Sequence, residues 1–404
     1  MTSTPPTVEL DDLGIDSGAH ILVKLALAER ATGDEIALRG RHADLLGGLA
    51  AWCRQHGHHI RTPEHPDAHE VVAWVRRGRA STDRWMGAQP SAPPDVDGAP
   101  AIAARPSPDW GLSARGAMVE AGGPTPEFHL DRREVVWSDL ASQLHRQALA
   151  EQWDPSRAID WTPPDSHPEI EAAVIQVMTF LIENEEVALV VPARFLGQVH
   201  PHFREVQQVL AVTVADEARH IEVFSRRVEM SGQPLALSTV SGRVSLQTLL
   251  DEPDFAIASF LLSVMGEGTF VALLTFLERH APDPLTRRIA HLVRADDSRH
   301  VAFGMGHLTE HARVEPDLRS RLARAVERRH RELQSSAGLN EEVFDALVLL
   351  AVGTTRPADV ATGWAAVQDL KREMDDSRRG RLARLGFTLG EAEELSSLHA
   401  RNFM

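Results

Sequence analysis

Two short runs share one pattern: Asp216-Glu217-Ala218-Arg219-His220 and Asp296-Asp297-Ser298-Arg299-His300. Each sets a carboxylate three residues before an imidazole, a spacing that puts both on one face of a helix. Carboxylate oxygens and imidazole nitrogens are ligands for transition-metal ions. A single such pair is a weak signal, because acidic residues and histidines are frequent on solvated helix faces. Two copies, each with an Asp before the carboxylate and an Arg before the His, are a stronger one. Upstream, Glu186 precedes Glu217 by 31 positions and Glu267 precedes Asp297 by 30. The midpoints fall at His200-Pro201 and Pro282, where prolines break helices. At ~1.5 Å per residue, a helix that leaves for about 14 residues and returns over about 15 brings each pair back to one height.

The chain therefore reads as a duplicated helical hairpin, whose halves also align at Phe195-Leu196 and Phe276-Leu277. Two hairpins make a four-helix bundle with four carboxylates and two imidazoles pointing inward. That is the arrangement of di-iron and di-manganese carboxylate proteins. Glu267 is the only charge in the 23 residues from Phe255 to Leu277. The run is long enough to span a bilayer, but a carboxylate at its centre would be costly there. A helix buried on all sides within a bundle is expected instead.

With these motifs, residues 165–312 resemble the ferritin-like non-haem di-iron oxygenase/desaturase superfamily. The two runs are similar to those of soluble acyl-carrier desaturases, bacterial multicomponent monooxygenases and ribonucleotide reductase small subunits. The resemblance implies two iron ions, with manganese as the alternative, and O₂ as co-substrate. It implies Glu186, Glu217 and His220 as ligands in one half, and Glu267, Asp297 and His300 in the other. It further implies that Asp216 and Asp296 accept hydrogen bonds from the distal nitrogens of the ligand histidines, across to the opposing half. Asp297 stands where Glu is usual, so its bridging role is open.

The neighbours have plainer readings. Glu183, one turn before Glu186, is read as a solvated or supporting acid, with a ligand role as the alternative; Glu185 is expected to point elsewhere. His307, two turns after His300, is read as a hydrogen-bonded core histidine rather than a third imidazole ligand. Arg219 and Arg299 are expected to pair with buried carboxylates.

The rest of the chain supplies a small α/β region and further helices. Residues 1–80 read as β-α-β-α-β-β: strands at Val8–Leu10, Glu35–Arg39, His58–Ile60 and His69–Val75, with helices at Ala19–Arg30 and His42–His56. This region resembles the TusA-like sulfurtransferase fold through LDDLGIDSGAHILVK and LAAWCRQHGHHI. Ser17 occupies the position of that family's persulfide-carrying Cys, so sulfur relay is not expected and a docking or regulatory module is. Residues 81–130, rich in Pro, Gly and Ala, read as an extended linker or wrapping arm. From 131 onward helices are expected at 130–153, 168–199, 202–230, 253–280, 284–312, 316–336, 341–352, 357–376 and 389–402. The fold class is thus mainly α, a metal-binding core at 165–312 with carboxy-terminal helices at 316–404.

Composition narrows the function. With 58 acidic against 42 basic residues the net charge is −16, which argues against nucleic acid or an anionic membrane as partner. The single cysteine, Cys53, excludes a disulfide framework and any multi-cysteine metal site, and suits the cytoplasm. No secretory signal is expected in MTSTPPTVEL. The absence of tyrosine excludes a tyrosyl radical. The reading is an oxygenase that hydroxylates, N-oxygenates or desaturates a small organic substrate, drawing electrons from a ferredoxin or reductase, with a homodimer as one assembly. The alternatives are a non-catalytic or storage-type ferritin-like protein and a sulfur-trafficking protein.

Overall fold

A computed structural model describes residues 5–63, 71–80, 83, 85, 87–92, 101–120, 122–333 and 341–399. His69 and Glu70 of the fourth expected strand, residues 93–100 of the proline-rich segment, and the expected helix ends at 334–336 and 400–402 lie outside it. The chain forms two compact units, one of Met1–Ala101 with Ser107–Pro126, the other of Ile102–Pro106 with Glu127–Met404.

In the first unit the order is β1 (Thr7–Glu9), α1 (Ala19–Ala28), β2 (Glu35–Gly40), α2 (Leu45–His56), β3 (His59–Arg61) and β4 (Val71–Arg76). The sheet order is β1-β2-β4-β3, with β1 parallel to β2 and β4 antiparallel to both neighbours. Ile36 opposite Val75 and Leu38 opposite Ala73 alternate onto one buried face, as period-2 strands require. Val23 and Leu27 of α1 and Leu49, Trp52 and Cys53 of α2 complete that core. The proline-rich segment is more structured than the expected linker. It forms a two-stranded ribbon of β5 (Gln89–Pro90) and β6 (Met118–Val119), tied by the Ser91 hydroxyl to Ala114 O at 2.8 Å. Glu120 accepts from Arg54 of α2 at 2.5 Å.

The second unit is helical. The expected single helix at 130–153 is two, α3 (Arg133–Val136) and α4 (Ala141–Ala150), because Trp137 is extended and the Ser138 hydroxyl turns to accept from Leu140 N. After α5 (Pro155–Ala158) come the bundle helices α6 (Pro168–Leu196) and α7 (Arg204–Glu229). Pro168 and the turn at Pro201 set their starts, and the His200 ring accepts from His202 N at 3.1 Å in that turn. Then follow α8 (Val240–Leu250), absent from the sequence reading and capped by Thr239, and α9 (Phe255–Ser259), capped by Asp254. A π-helical segment, Phe260–Glu267, joins α9 to α10 (Gly268–His280), and Asp283 caps α11 (Pro284–Val314). The remaining helices are α12 (Leu318–Leu333), α13 (Glu341–Val352), α14 (Pro357–Arg384) and α15 (Leu389–His399).

Helix α6 packs on α7, and α11 packs on α10, the π segment and α7. The apolar run Phe255–His280 is long and apolar enough to cross a membrane, yet 83% of its apolar window is buried in this interior. Buried residues recur at alternating steps of four and three, the seam of a left-handed bundle. On α7 they are Val206, Leu210, Thr213, Glu217, His220, Phe224 and Arg227; on α11, Ala290, Val293, Asp297, His300, Gly304 and His307. At one end Arg227 donates to Glu171 at 2.5 and 2.9 Å and to Asp283 at 3.1 Å, locking α6, α7 and the start of α11 in register.

Candidate metal centre

The seam carries the site residues inward at mid-bundle. Glu217, His220, Glu267, Asp297 and His300 are all buried, none more than 6% exposed. Glu186 is not among them: it is exposed, and Glu185 takes the inward place at 6% exposure. The reason is helical phase. Adjacent residues stand about 100° apart around a helix. The alignment of Phe195 with Phe276 equates two rings that face differently: Phe195 lines the cavity beside Glu267, whereas Phe276 packs on His280. A signal was available: Val174, Met178, Leu181, Ala188, Pro192 and Phe195 form a buried seam whose missing member is residue 185. Glu183 is half-buried and outside the cluster.

Two triads share one carboxylate. Ligand atoms of Glu185, Glu217 and His220 lie within 4.8 Å of one another, as do those of Glu217, Asp297 and His300. His220 Nδ1 is 3.1 Å from Glu217 Oε2, 3.6 Å from Glu185 Oε2 and 3.7 Å from Asp297 Oδ1. His300 Nδ1 is 2.8 Å from Glu217 Oε1 and 3.9 Å from the same Asp297 Oδ1. Glu217 and Asp297 therefore each lie within 4 Å of both imidazoles.

The outer ring crosses between hairpins. His220 Nε2 meets Asp296 Oδ2 at 3.1 Å, and His300 Nε2 meets Asp216 Oδ2 at 3.3 Å. A carboxylate only accepts, so each Nε2 carries hydrogen and each Nδ1 faces the cluster. Arg219 donates to Asp216 at 2.5 Å and to Asp296 at 2.8 Å, and Arg299 donates to Asp296 and, at 2.9 Å, to Glu151. Sequence reasoning missed two members from the stretch after α4. The Trp153 indole N–H donates to Asp296 at 2.9 Å, and the Gln152 amide donates to Asp216 at 3.1 Å. Arg219 also stacks over the Trp153 ring, 4.5 Å from its centroid.

The electrostatics divide along the same line. Burial, with Glu217 nearby, holds Glu185 well above the usual carboxylate range. Burial, Glu217 and Asp297 push Glu267 up to about 8 against the pull of His300. Burial raises Asp297 to about 7. Burial works on Glu217 in the same sense, but His300 and its hydrogen bonds hold it well below the usual range. Burial would depress both imidazoles, and the surrounding carboxylates keep them well above the ordinary histidine range. Outside, Asp216 and Asp296 are lowered: burial is outweighed by their histidine and arginine partners.

Both oxygens of Glu267 and Asp297 Oδ1 are buried without a hydrogen-bond partner, and Glu217 Oε1 meets only His300 Nδ1, at 2.8 Å. Orphaned groups of this kind are costly unless a cation meets them. The outer arginines balance the outer aspartates, leaving four inner carboxylates as the unmatched charge. Two divalent ions fit both that charge and the oxygen-rich, imidazole-poor donor set.

His307 stands apart from the triads. Its Nε2 bonds Ser259 Oγ at 2.8 Å between the rings of Phe255 and Phe303, and burial lowers it to about 3. The π segment shapes the remaining wall. Its looser turns leave carbonyls to other donors: Thr269 Oγ1 to Met265 O at 2.6 Å and Arg381 Nε to Val264 O at 2.7 Å. Gly304 admits the segment closely, since a Cβ there would lie 2.8 Å from Ser263 Cβ. A small cavity of about 30 Å³ lies beside Glu267 and His300, walled by Phe195, Leu210, Leu262 and Phe303, with Thr213, Ser259 and Ser263 as its hydroxyls.

The fold and donor set define a four-helix bundle with a dinuclear carboxylate–imidazole constellation at its centre. No protein-family model matches the sequence, and no curated protein matches it. The fold is similar to solved structures of substituted R2-like ligand-binding oxidases. One, with an aerobically reconstituted Mn/Fe cofactor, is 16% identical over 61% of this chain and 94% of its own, with a TM-score of 0.47. Another, with an Fe/Fe cofactor, is 18% identical over the same shares, with a TM-score of 0.45. A protein with aldehyde deformylating oxidase activity from Synechococcus is 17% identical over 64% of this chain and 98% of its own, with a TM-score of 0.37. The functional reading rests on the side chains described above.

Proposed function

We propose that this protein is a di-metal oxidoreductase of the non-haem di-iron oxygenase type, acting on a small, mainly apolar molecule. The observation that carries the reading is the convergence of four buried carboxylates and two imidazoles, with both oxygens of Glu267 and one of Asp297 lacking a partner. Glu185, Glu217 and His220 would hold one ion, and Glu217, Asp297, His300 and Glu267 the other. Two iron ions, or manganese in place of iron, would supply O₂ binding and redox equivalents.

The chain's own residues do the rest. Asp296 and Asp216 fix the imidazoles with Nδ1 inward. Arg219 and Arg299 hold those aspartates charged and in place. The apolar wall of Phe195, Leu210, Leu262 and Phe303 keeps water from the donor cluster and suits an apolar molecule beside it. An apolar wall beside the donor cluster favours substrate oxidation over metal storage. Hydroxylation, N-oxygenation and desaturation are all compatible with it, with a ferredoxin or reductase supplying the electrons that the substrate does not.

Sulfur trafficking finds no support. The Cys53 thiol is buried and pushed up to about 12 by that burial, and the Ser17 hydroxyl serves its own loop, accepting from Gly14 N at 2.8 Å. The first unit is proposed as a docking module, and the cytoplasm as the setting.

The test is metal analysis of full-length protein from iron-replete cells, with O₂ uptake against a panel of small apolar substrates. About two ions per chain and substrate-dependent uptake are expected. Metal-free protein, or uptake that stops once added Fe²⁺ is oxidised, would overturn the reading.

A further inference from the structure

Three arginines of the carboxy-terminal helices are buried without a carboxylate partner among the described residues. Arg329 of α12 and Arg378 and Arg381 of α14 are 5%, 2% and 4% exposed. Their hydrogen bonds run to neutral oxygens. Arg329 reaches Thr248 Oγ1 at 2.8 Å and Ser245 Oγ at 2.7 Å. Arg378 reaches Ser396 Oγ at 2.9 Å, and Arg381 reaches Val264 O at 2.7 Å and Ser377 Oγ at 2.6 Å. The other buried arginines of the bundle behave differently: Arg219, Arg227 and Arg299 are each paired with carboxylates. The undescribed stretches nearest in sequence, 334–340 and 400–404, contain no acidic side chain.

The cations share one place. Arg378 and Arg381 lie a turn apart on α14, Ser396 and His399 lie a turn apart on α15, and Arg378 is bonded to Ser396. His399 is 7% exposed, and neither its Nε2 nor Arg381 Nη2 has a partner among the described residues. Burial and then Arg378, Arg329 and Arg381 hold His399 well below the ordinary histidine range. The acid beside Arg378, Asp375, is engaged by Ser396 Oγ at 2.5 Å and by Arg379 at 3.1 Å. Glu332, beside Arg329, is exposed. Several buried guanidiniums with no carboxylate partner among the described residues are costly, and a multiply charged anion removes that cost.

We propose that Arg378, Arg381 and His399, with Arg329 behind them, form a binding site for a phosphate-type oxyanion, separate from the metal centre. Guanidinium forks match the oxygens of phosphate, and a monocarboxylate would leave most of the charge unmet. Arg381 also links this site to the π segment. It holds Val264 O and lies against Gly268, where a Cβ would stand 2.4 Å from its Cζ. Occupancy therefore bears on the helix that carries Glu267.

The test is thermal unfolding and calorimetric titration of the full-length protein with inorganic phosphate, against chloride at matched ionic strength. Its readout does not depend on metal content. Phosphate is expected to raise Tm with the logarithm of its concentration, on the order of 5 °C at a hundredfold excess over Kd. Arg381→Gln and His399→Gln, checked by circular dichroism for an intact helical fold, are expected to weaken phosphate binding at least tenfold. Adenosine monophosphate serves as a second probe: binding as tight as phosphate identifies a phosphomonoester as occupant, and its exclusion identifies the free ion. Equal responses to phosphate and chloride, or a full phosphate response in both folded variants, would overturn the proposal.

Discussion

At the scale of residues, the site discriminates between neighbours. Glu185 and Glu186 have the same charge and nearly the same height, but only Glu185 reaches the imidazoles. Glu185→Ala is expected to lose at least half the bound metal, and Glu186→Ala to retain it, measured by elemental analysis. Full occupancy in the first variant with loss in the second would show that the register is wrong by one position. The outer ring makes a second prediction. Asp296 receives His220, Arg219, Arg299 and the Trp153 indole. Asp296→Asn keeps the shape but removes the charge that orients His220 and matches both arginines. A 10–100-fold loss of metal affinity, as for other partners of ligand histidines, is expected by competition with a chelator.

At the scale of elements, the π segment is the departure from regular winding. It could not be read from Phe255–Leu277, because a uniformly apolar run has no polar face from which to take a period. Its position is held from two sides, by Arg381 on Val264 O and by the close approach of Gly304 to Ser263. Gly304→Val would force α11 and the segment apart and displace Glu267. A loss of about 1–3 kcal/mol, the usual range for overpacking, is expected in denaturant unfolding, together with reduced metal content. Wild-type stability in that variant would mean the approach is looser than the geometry implies.

At the scale of the whole molecule, burying four carboxylates couples stability to pH and to metal. Glu267 and Asp297 are raised to about 8 and about 7 from usual values near 4, and Glu185 is raised as well. For a raised acid the folded state holds the proton longer than the unfolded chain does. Its stabilisation is complete below the unfolded pKa and is lost as pH rises through the folded one. Chelator-stripped protein is therefore expected to lose several degrees of Tm between about pH 5 and pH 8. Metal keeps those carboxylates ionised and releases their protons on binding, so the loaded protein should show a flat or rising Tm over the same window. A falling Tm in the loaded form, matching the stripped form, would contradict the ligand assignment.

The sequence by itself determined the two hairpins, their turns at Pro201 and Pro282, the paired carboxylate–histidine runs and the βαβαββ order of the first unit. All of these are written in local spacing and in helix-breaking residues, which act before any long-range contact forms. Height along a helix follows from residue count: Glu217 lies with His220 in one group and with Asp297 and His300 in another, and Glu267 lines the cavity with His300. Azimuth was legible only in part: the four-three seam of α6 has its gap at residue 185, and the packing turns Glu185 inward and Glu186 out. The recruitment of Trp153 and Gln152 to the outer ring was likewise decided in three dimensions. Their partners, Asp296 and Asp216, are 143 and 64 positions away in the chain, and no local pattern encodes contacts of that range.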